Sequence, residues 1–173
     1  LEDMQFSLSE YCSLSRHQPG TDRSSFLFYP GCQLAGSAPD AVKKVYSFLG
    51  AQLQGGVGLM LGCCGIPAHW AGRNQLFGET MAALEAEVAR LGNPKVITAC
   101  SSCLSVFKEF APEVKTTSLW EVLDTLALPA NHSRPVKPLT IHDPCTARDQ
   151  QTLRHSVRSL CTKLGIEVVE HDY

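Results

Sequence analysis

Three short apolar runs in this chain each end in cysteine: Phe26–Tyr29 leads into Pro30-Gly31-Cys32, Val57–Leu61 into Gly62-Cys63-Cys64-Gly65, and Lys95–Ala99 into Cys100-Ser101-Ser102-Cys103. Runs this short, rich in aliphatic and aromatic residues and bounded by Gly and Pro, read as buried strands. Helical patterns separate them. Ser37 and Asp40 resemble a capping box with Pro39 in the first turn, Val42, Val45 and Leu49 share one face, and Gly50 is placed to end that helix. From Asn74 to Leu91 the apolar residues Phe77, Met81, Leu84, Val88 and Leu91 step by four and three up to Gly92 and Asn93-Pro94, a strong amphipathic helix. Another helix is expected from the Cys100 group through Phe110. Strands alternating with helices predict an α/β fold with a small, mainly parallel sheet and flanking helices, whose carboxyl tips gather at one end. All three cysteine groups then meet there.

The thiols themselves narrow the chemistry. Cys63 and Cys64 are adjacent, and adjacent cysteines form a disulfide only through a strained ring, so they staple a fold poorly but can give two thiolates to one polynuclear centre. Disulfides are not needed for stability, because 173 residues with 44% hydrophobic content can bury a proper core. Eight cysteines exceed what a cytosolic enzyme usually carries yet fall short of a secreted disulfide scaffold, which favours metal or redox use. Cys100 and Cys103 at the start of a helix would be eased toward thiolate, the form that ligates metal or attacks a disulfide.

A formal net charge of −2 with no run of Lys or Arg leaves no electrostatic footprint for nucleic acid or an anionic membrane. No apolar run approaches the roughly 20 residues of a membrane span, and the first residues lack a signal-peptide pattern. We therefore expect a cytoplasmic protein with no nucleic-acid partner and no direct membrane insertion. A start at Leu1 and a stop at Tyr173 read as a fragment of something longer.

Residues 1–25 are polar and without sustained periodicity, a flexible leading segment. Residues 26–128 form a complete first unit, with a further strand near Val114–Ser118 and a helix around Trp120–Leu126. Residues 129–138 carry three prolines and no apolar period, the composition of a linker. Beyond them Leu139-Thr140-Ile141-His142-Asp143-Pro144-Cys145 repeats the opening pattern at an offset of 113 positions from Cys32. A helix with Leu153, Val157, Leu160 and Leu164, then Gly165 and a strand Ile166–Val169, continue the parallel, so residues 139–173 read as the first half of a second repeat packed with the first as one domain.

The order Cys32, Cys63-Cys64-Gly65, Cys100-x-x-Cys103 and then His142-Asp143-Pro144-Cys145 resembles the cysteine-rich CCG domain family. That family includes subunits of heterodisulfide reductase, glycolate oxidase and anaerobic glycerol-3-phosphate dehydrogenase. The resemblance covers residues 26–173 and implies an iron–sulfur oxidoreductase domain, with Cys32, Cys63, Cys64, Cys100 and Cys103 as ligands of a noncubane 4Fe-4S cluster. It also implies a redox partner bearing flavin or ferredoxin-type clusters, and electron transfer to an acceptor, with disulfide reduction at the cluster as the stronger variant. Only Cys145 of the second motif falls within the sequence.

Other readings stand beside this one. A tetrahedral zinc site would leave one thiol over and serve a structural or interaction module. A thiol switch would use Cys100 and Cys103 alone, and an aerobic preparation would leave the thiols metal-free or loaded with zinc. His69 and Arg73 are placed to act as outer-shell groups by bonding cluster sulfurs or offsetting their charge, and Trp70 to shield the site or pack. His142 and Asp143 suit a turn better than catalysis. Cys12 and Cys161 fall outside the motif and read as free thiol and core filler. The glycines Gly55, Gly56 and Gly58 precede a strand instead of following one, which fails as a dinucleotide fingerprint.

Overall fold

The computed structural model describes residues 14–129 and 137–170. Its contacts divide the chain into two units, Leu1–Thr117 and Ser118–Tyr173. The first is built on a five-stranded, mostly parallel sheet of order β1-β3-β2-β4-β5, with β1 Leu14–Arg16, β2 Phe26–Tyr29, β3 Val57–Leu61, β4 Lys95–Thr98 and β5 Thr116–Ser118. β2 occupies the middle. It pairs in parallel with β3 (Phe26↔Val57, Phe28↔Leu59) and with β4 (Phe26↔Lys95, Tyr29↔Thr98). The chain therefore leaves β2 toward one neighbour and returns to the other, the arrangement that opens a crevice at the carboxyl ends.

Strand alternation sorts the side chains. Leu27 and Tyr29 join Met60, Val96 and the apolar stripe Phe77, Met81, Leu84, Val88 and Leu91 in one buried cluster. After the short α3 (Ile66–Trp70), that stripe belongs to α4 (Asn74–Arg90), and the cluster is closed by Val106 and Phe107 of α5 (Ser101–Phe110). Phe28 and Ile97 are fully buried outside that cluster, and α2 (Pro39–Gln52), which packs against β3, buries Val42 and Leu49. Each large side chain so buried contributes about 1.5–3 kcal/mol. The α/β fold expected from the sequence is the fold observed.

Three local expectations differ. The capping box at Ser37 and Asp40 does not form, because Ser37 ends a short helix α1 (Cys32–Ser37) and Ala38 caps α2 without a side-chain bond. Gly50 does not end α2 either; the helix runs two residues further to Gln52. Within the segment read as a flexible leader, Leu14–Arg16 forms an edge strand antiparallel to β3 (Leu14↔Leu61, Arg16↔Leu59). One leucine and two polar residues give no apolar period, so side-chain hooks hold this strand. Gln18 Oε1 accepts from the Val57 amide at 2.9 Å and Arg90 Nη2 donates to the Ser15 carbonyl at 3.1 Å. Gly58 is explained by the same strand: a Cβ there would stand 2.6 Å from the Arg16 carbonyl oxygen.

The second unit contains α6 (Leu119–Thr125), β6 (Leu139–Thr140), a 3-10 turn Cys145–Ala147, α7 (Gln151–Lys163) and β7 (Val168–Val169). β6 and β7 pair in parallel, Leu139↔Val168, as β2 pairs with β3, and Cys145 opens a helical turn as Cys32 does. Asp143 accepts from Arg154 Nε and Arg158 Nη2, each at 2.9 Å, and Arg158 also bonds Glu170, so one ion cluster joins the end of β6, α7 and the end of β7. Residues 130–136, most of the expected linker, lie outside the described residues.

Candidate metal centre

Cys32 follows β2 as the first residue of α1, Cys63 and Cys64 follow β3, and Cys100 caps the N-terminus of α5 with Cys103 inside its first turn. Adjacent strands lie about 4.8 Å apart, so three neighbouring tips bring five sulfurs into a small volume. Cys32 Sγ lies 3.7 Å from Cys63 Sγ, and the titration of each remaining thiol is set by its neighbours: Cys63 by Cys32 and Cys64, Cys64 by Cys103, and Cys100 by Cys103. Cys63, Cys64 and Cys103 are buried and belong as much to the core as to the site, while Cys32 and Cys100 are half-buried. Gly31 makes room for this packing: with φ +82° and ψ 158°, it has no Cβ where one would meet Cys100 Cβ at 3.2 Å and Cys103 Sγ at 3.3 Å.

Backbone amides aim at the sulfurs. Gly65 N–H donates to Cys63 Sγ at 3.4 Å, Ile66 N–H donates to Cys64, and the Cys103 and Ser102 amides donate to Cys100. The thiols titrate apart as a result. Hydrogen bonding with Cys103 is the first cause that holds Cys64 well below the ordinary thiol range and brings Cys100 down to about 6. Cys103 is itself pushed up, first by its interaction with Cys100, then by that with Cys64 and by burial. Cys32 is pushed up by donating to Cys63 and by burial. The Cys32 thiol pulls Cys63 down, but donation to Cys64 and burial together outweigh it and leave Cys63 raised. Cys64 and Cys100 are thus the two eased toward thiolate, while Cys32, Cys63 and Cys103 are pushed toward thiol, which keeps five negative charges from crowding one buried spot.

As they stand, no three His, Cys, Asp or Glu side chains among the described residues are arranged to hold a single metal ion. A string of five sulfurs with amide donors along it suits a centre of several metal atoms, where successive thiolates bind different atoms. The donor set fits an iron–sulfur cluster better than one zinc ion.

The remaining residues singled out in the sequence fall as follows. The His69 ring packs against Phe77 and Phe110, with centroids 4.9 and 5.1 Å away. Arg73 stands at the N-cap of α4, its amide bonded to the Ala68 carbonyl at 2.8 Å. Trp70 is 66% exposed, where it was expected to pack or to cover the site. Cys145 is exposed and lies in the second unit, as does the half-buried Cys161, and Cys12 lies outside the described residues. Beside Cys63 a cavity of about 390 Å³ opens between β1 and α4, lined by Leu14, Ser15, Met60, Thr80 and Leu84 among others. It went unforeseen because β1 did.

Sequence reading also passed over Tyr29. It is fully buried, donates from its hydroxyl to the Gly62 carbonyl at 2.9 Å and meets Phe107 edge to face at 5.7 Å. A tyrosine ending an otherwise apolar strand was a usable cue, since a buried phenol needs an acceptor. No helix among the described residues is long and apolar enough to cross a membrane. A family model described as a cysteine-rich domain, CCG, matches residues 26–108, a span that includes all five clustered cysteines. No curated protein and no solved structure matches the chain.

Proposed function

Residues 26–108 are a CCG cysteine-rich domain, and on that footing we propose that the chain is an iron–sulfur oxidoreductase domain that passes electrons from a partner redox subunit to an acceptor. The observation that carries this is the gathering of five cysteines at three neighbouring strand tips, with the Cys32 and Cys63 sulfurs 3.7 Å apart. Cys32, Cys63, Cys64, Cys100 and Cys103 would hold a noncubane 4Fe-4S cluster, which when bound supplies reversible electron storage. The chain's own contributions are separate. Five thiolates supply the ligands, three sets of backbone amides offset their charge, and burial of Cys63, Cys64 and Cys103 keeps water from the sulfurs.

Nothing in this sequence suggests a flavin or nicotinamide site, so the electrons come from a partner carrying flavin or ferredoxin-type clusters. The cavity beside Cys63 is of a size to admit a small acceptor, and reduction of a disulfide there is the stronger form of the proposal. A second reading has its own observation: Cys100, held down to about 6 with the Cys103 thiol as its donor, is the pattern of an attacking thiolate in a redox switch.

The deciding measurement is iron, acid-labile sulfide and zinc per chain, after purification and reconstitution without oxygen. About four iron and four sulfide, lost on Cys64→Ala and kept on Cys161→Ala, is the expected result. One zinc and no iron would leave a structural metal module. Thiol–disulfide exchange that survives Cys32→Ala and Cys63→Ala would point to the switch.

A further inference from the structure

We propose that Tyr29 is a positioning residue of the thiol site, tying together the three segments that carry the cysteines. Its own strand delivers Cys32 three residues later. Its carbonyl accepts from the Ala99 amide at 3.3 Å, immediately before Cys100. Its ring stands edge-on to Phe107, one helical turn beyond Cys103 on α5. Its hydroxyl donates to the carbonyl of Gly62, the residue before Cys63 and Cys64.

These links are not equivalent. The backbone bond to Ala99 would exist with any residue, and Phe could make the ring contact. Only the phenol reaches Gly62. The β2–β3 register runs from Phe26↔Val57 to Phe28↔Leu59, so Gly62 lies three residues past its last pair, and the hydroxyl continues the tie between the two strands to the base of the Cys63-Cys64 loop. The phenol is within electrostatic reach of Cys103, Cys64, Cys63 and Cys32. Its bond fixes the height of the Cys63-Cys64 loop over β2, and with it the Cys32–Cys63 and Cys64–Cys103 contacts.

The test uses the full chain, metal-free and reduced, with labelling by iodoacetamide followed at each cysteine by mass spectrometry. It concerns the same thiols as the iron–sulfur reading but needs no iron, so the two fail separately. Tyr29→Phe keeps the ring and removes one buried hydrogen bond, which corresponds to about a fivefold rise in local opening. Cys63 and Cys64 are expected to label about fivefold faster, while the equally buried Cys103 stays near its original rate. Phe107→Leu keeps the phenol bond and is expected to do the reverse, speeding Cys103 and sparing Cys63 and Cys64. Parallel acceleration of all three cysteines in Tyr29→Phe would show mere loss of global stability and overturn the proposal. So would unchanged rates at Cys63 and Cys64, or their acceleration by Phe107→Leu to the same degree as Cys103.

Discussion

Gly31→Ala is the sharpest structural test of how the sulfurs are packed. The residue sits at φ +82°, ψ 158°, a region that residues with a Cβ adopt at a cost of about 1–3 kcal/mol. The added methyl would also stand 3.2 Å from Cys100 Cβ and 3.3 Å from Cys103 Sγ, close enough that α5 must give way by a few tenths of an ångström. Overfilling of this kind in a packed interior costs about 1–3 kcal/mol more. Together the two effects reach about 2–6 kcal/mol, a large share of the 5–15 kcal/mol typical of a domain. Gly92→Ala is the matched control, because Gly92 has φ +77° but no heavy atom within 4 Å of its would-be Cβ; it is expected to cost only about 1–2 kcal/mol. Urea unfolding followed by far-ultraviolet circular dichroism gives both values. The reasoning is refuted if the two variants lose equal stability and Cys100 and Cys103 keep their labelling rates in Gly31→Ala, since the contact with the sulfurs would then carry no energy.

Two further predictions concern the second unit. Ser118, 1% exposed, accepts from the Trp120 amide at 3.2 Å while Glu121 accepts from the Ser118 amide at 3.3 Å; Ser118→Ala is expected to cost about 1 kcal/mol in urea unfolding read by Trp120 fluorescence in a Trp70→Phe background. The Asp143 carboxyl is held below the usual carboxylate range, first by Arg158 and then by Arg154. Its folded value lies under its unfolded value, so the stability it contributes is present above about pH 4 and is lost as pH falls through the folded value. Urea midpoints for the same Trp120 signal should drop below about pH 4, and Asp143→Asn should lower the midpoint at pH 7 while flattening that drop; an unchanged acid profile in the variant would exclude Asp143 as its source.

What the sequence determined by itself is what can be read along the chain. Phe26–Tyr29, Val57–Leu61 and the α4 stripe of Phe77, Met81, Leu84 and Val88 were legible because apolar periodicity is a local property that burial then uses. The five cysteines were legible for the same reason, each standing just past such a run. The parallel of Leu139 and Cys145 with Phe26 and Cys32 is likewise a pattern along the chain. Tertiary structure decided whatever depended on distant residues. β1 exists because Gln18 and Arg90 hook the short segment Leu14–Arg16 onto the sheet edge, and no local pattern announces that. Ser37 ends one helix instead of capping the next, because Cys32 already opens a helical turn there. The packing of the His69 ring on Phe77 and Phe110, residues brought to it by two other helices, is likewise a contact across the fold. Which sulfur touches which, and which of them holds a proton, follows from strand order and from amides at helix starts. Those are distances across the fold, and a linear pattern carries residue types and spacings but not distances.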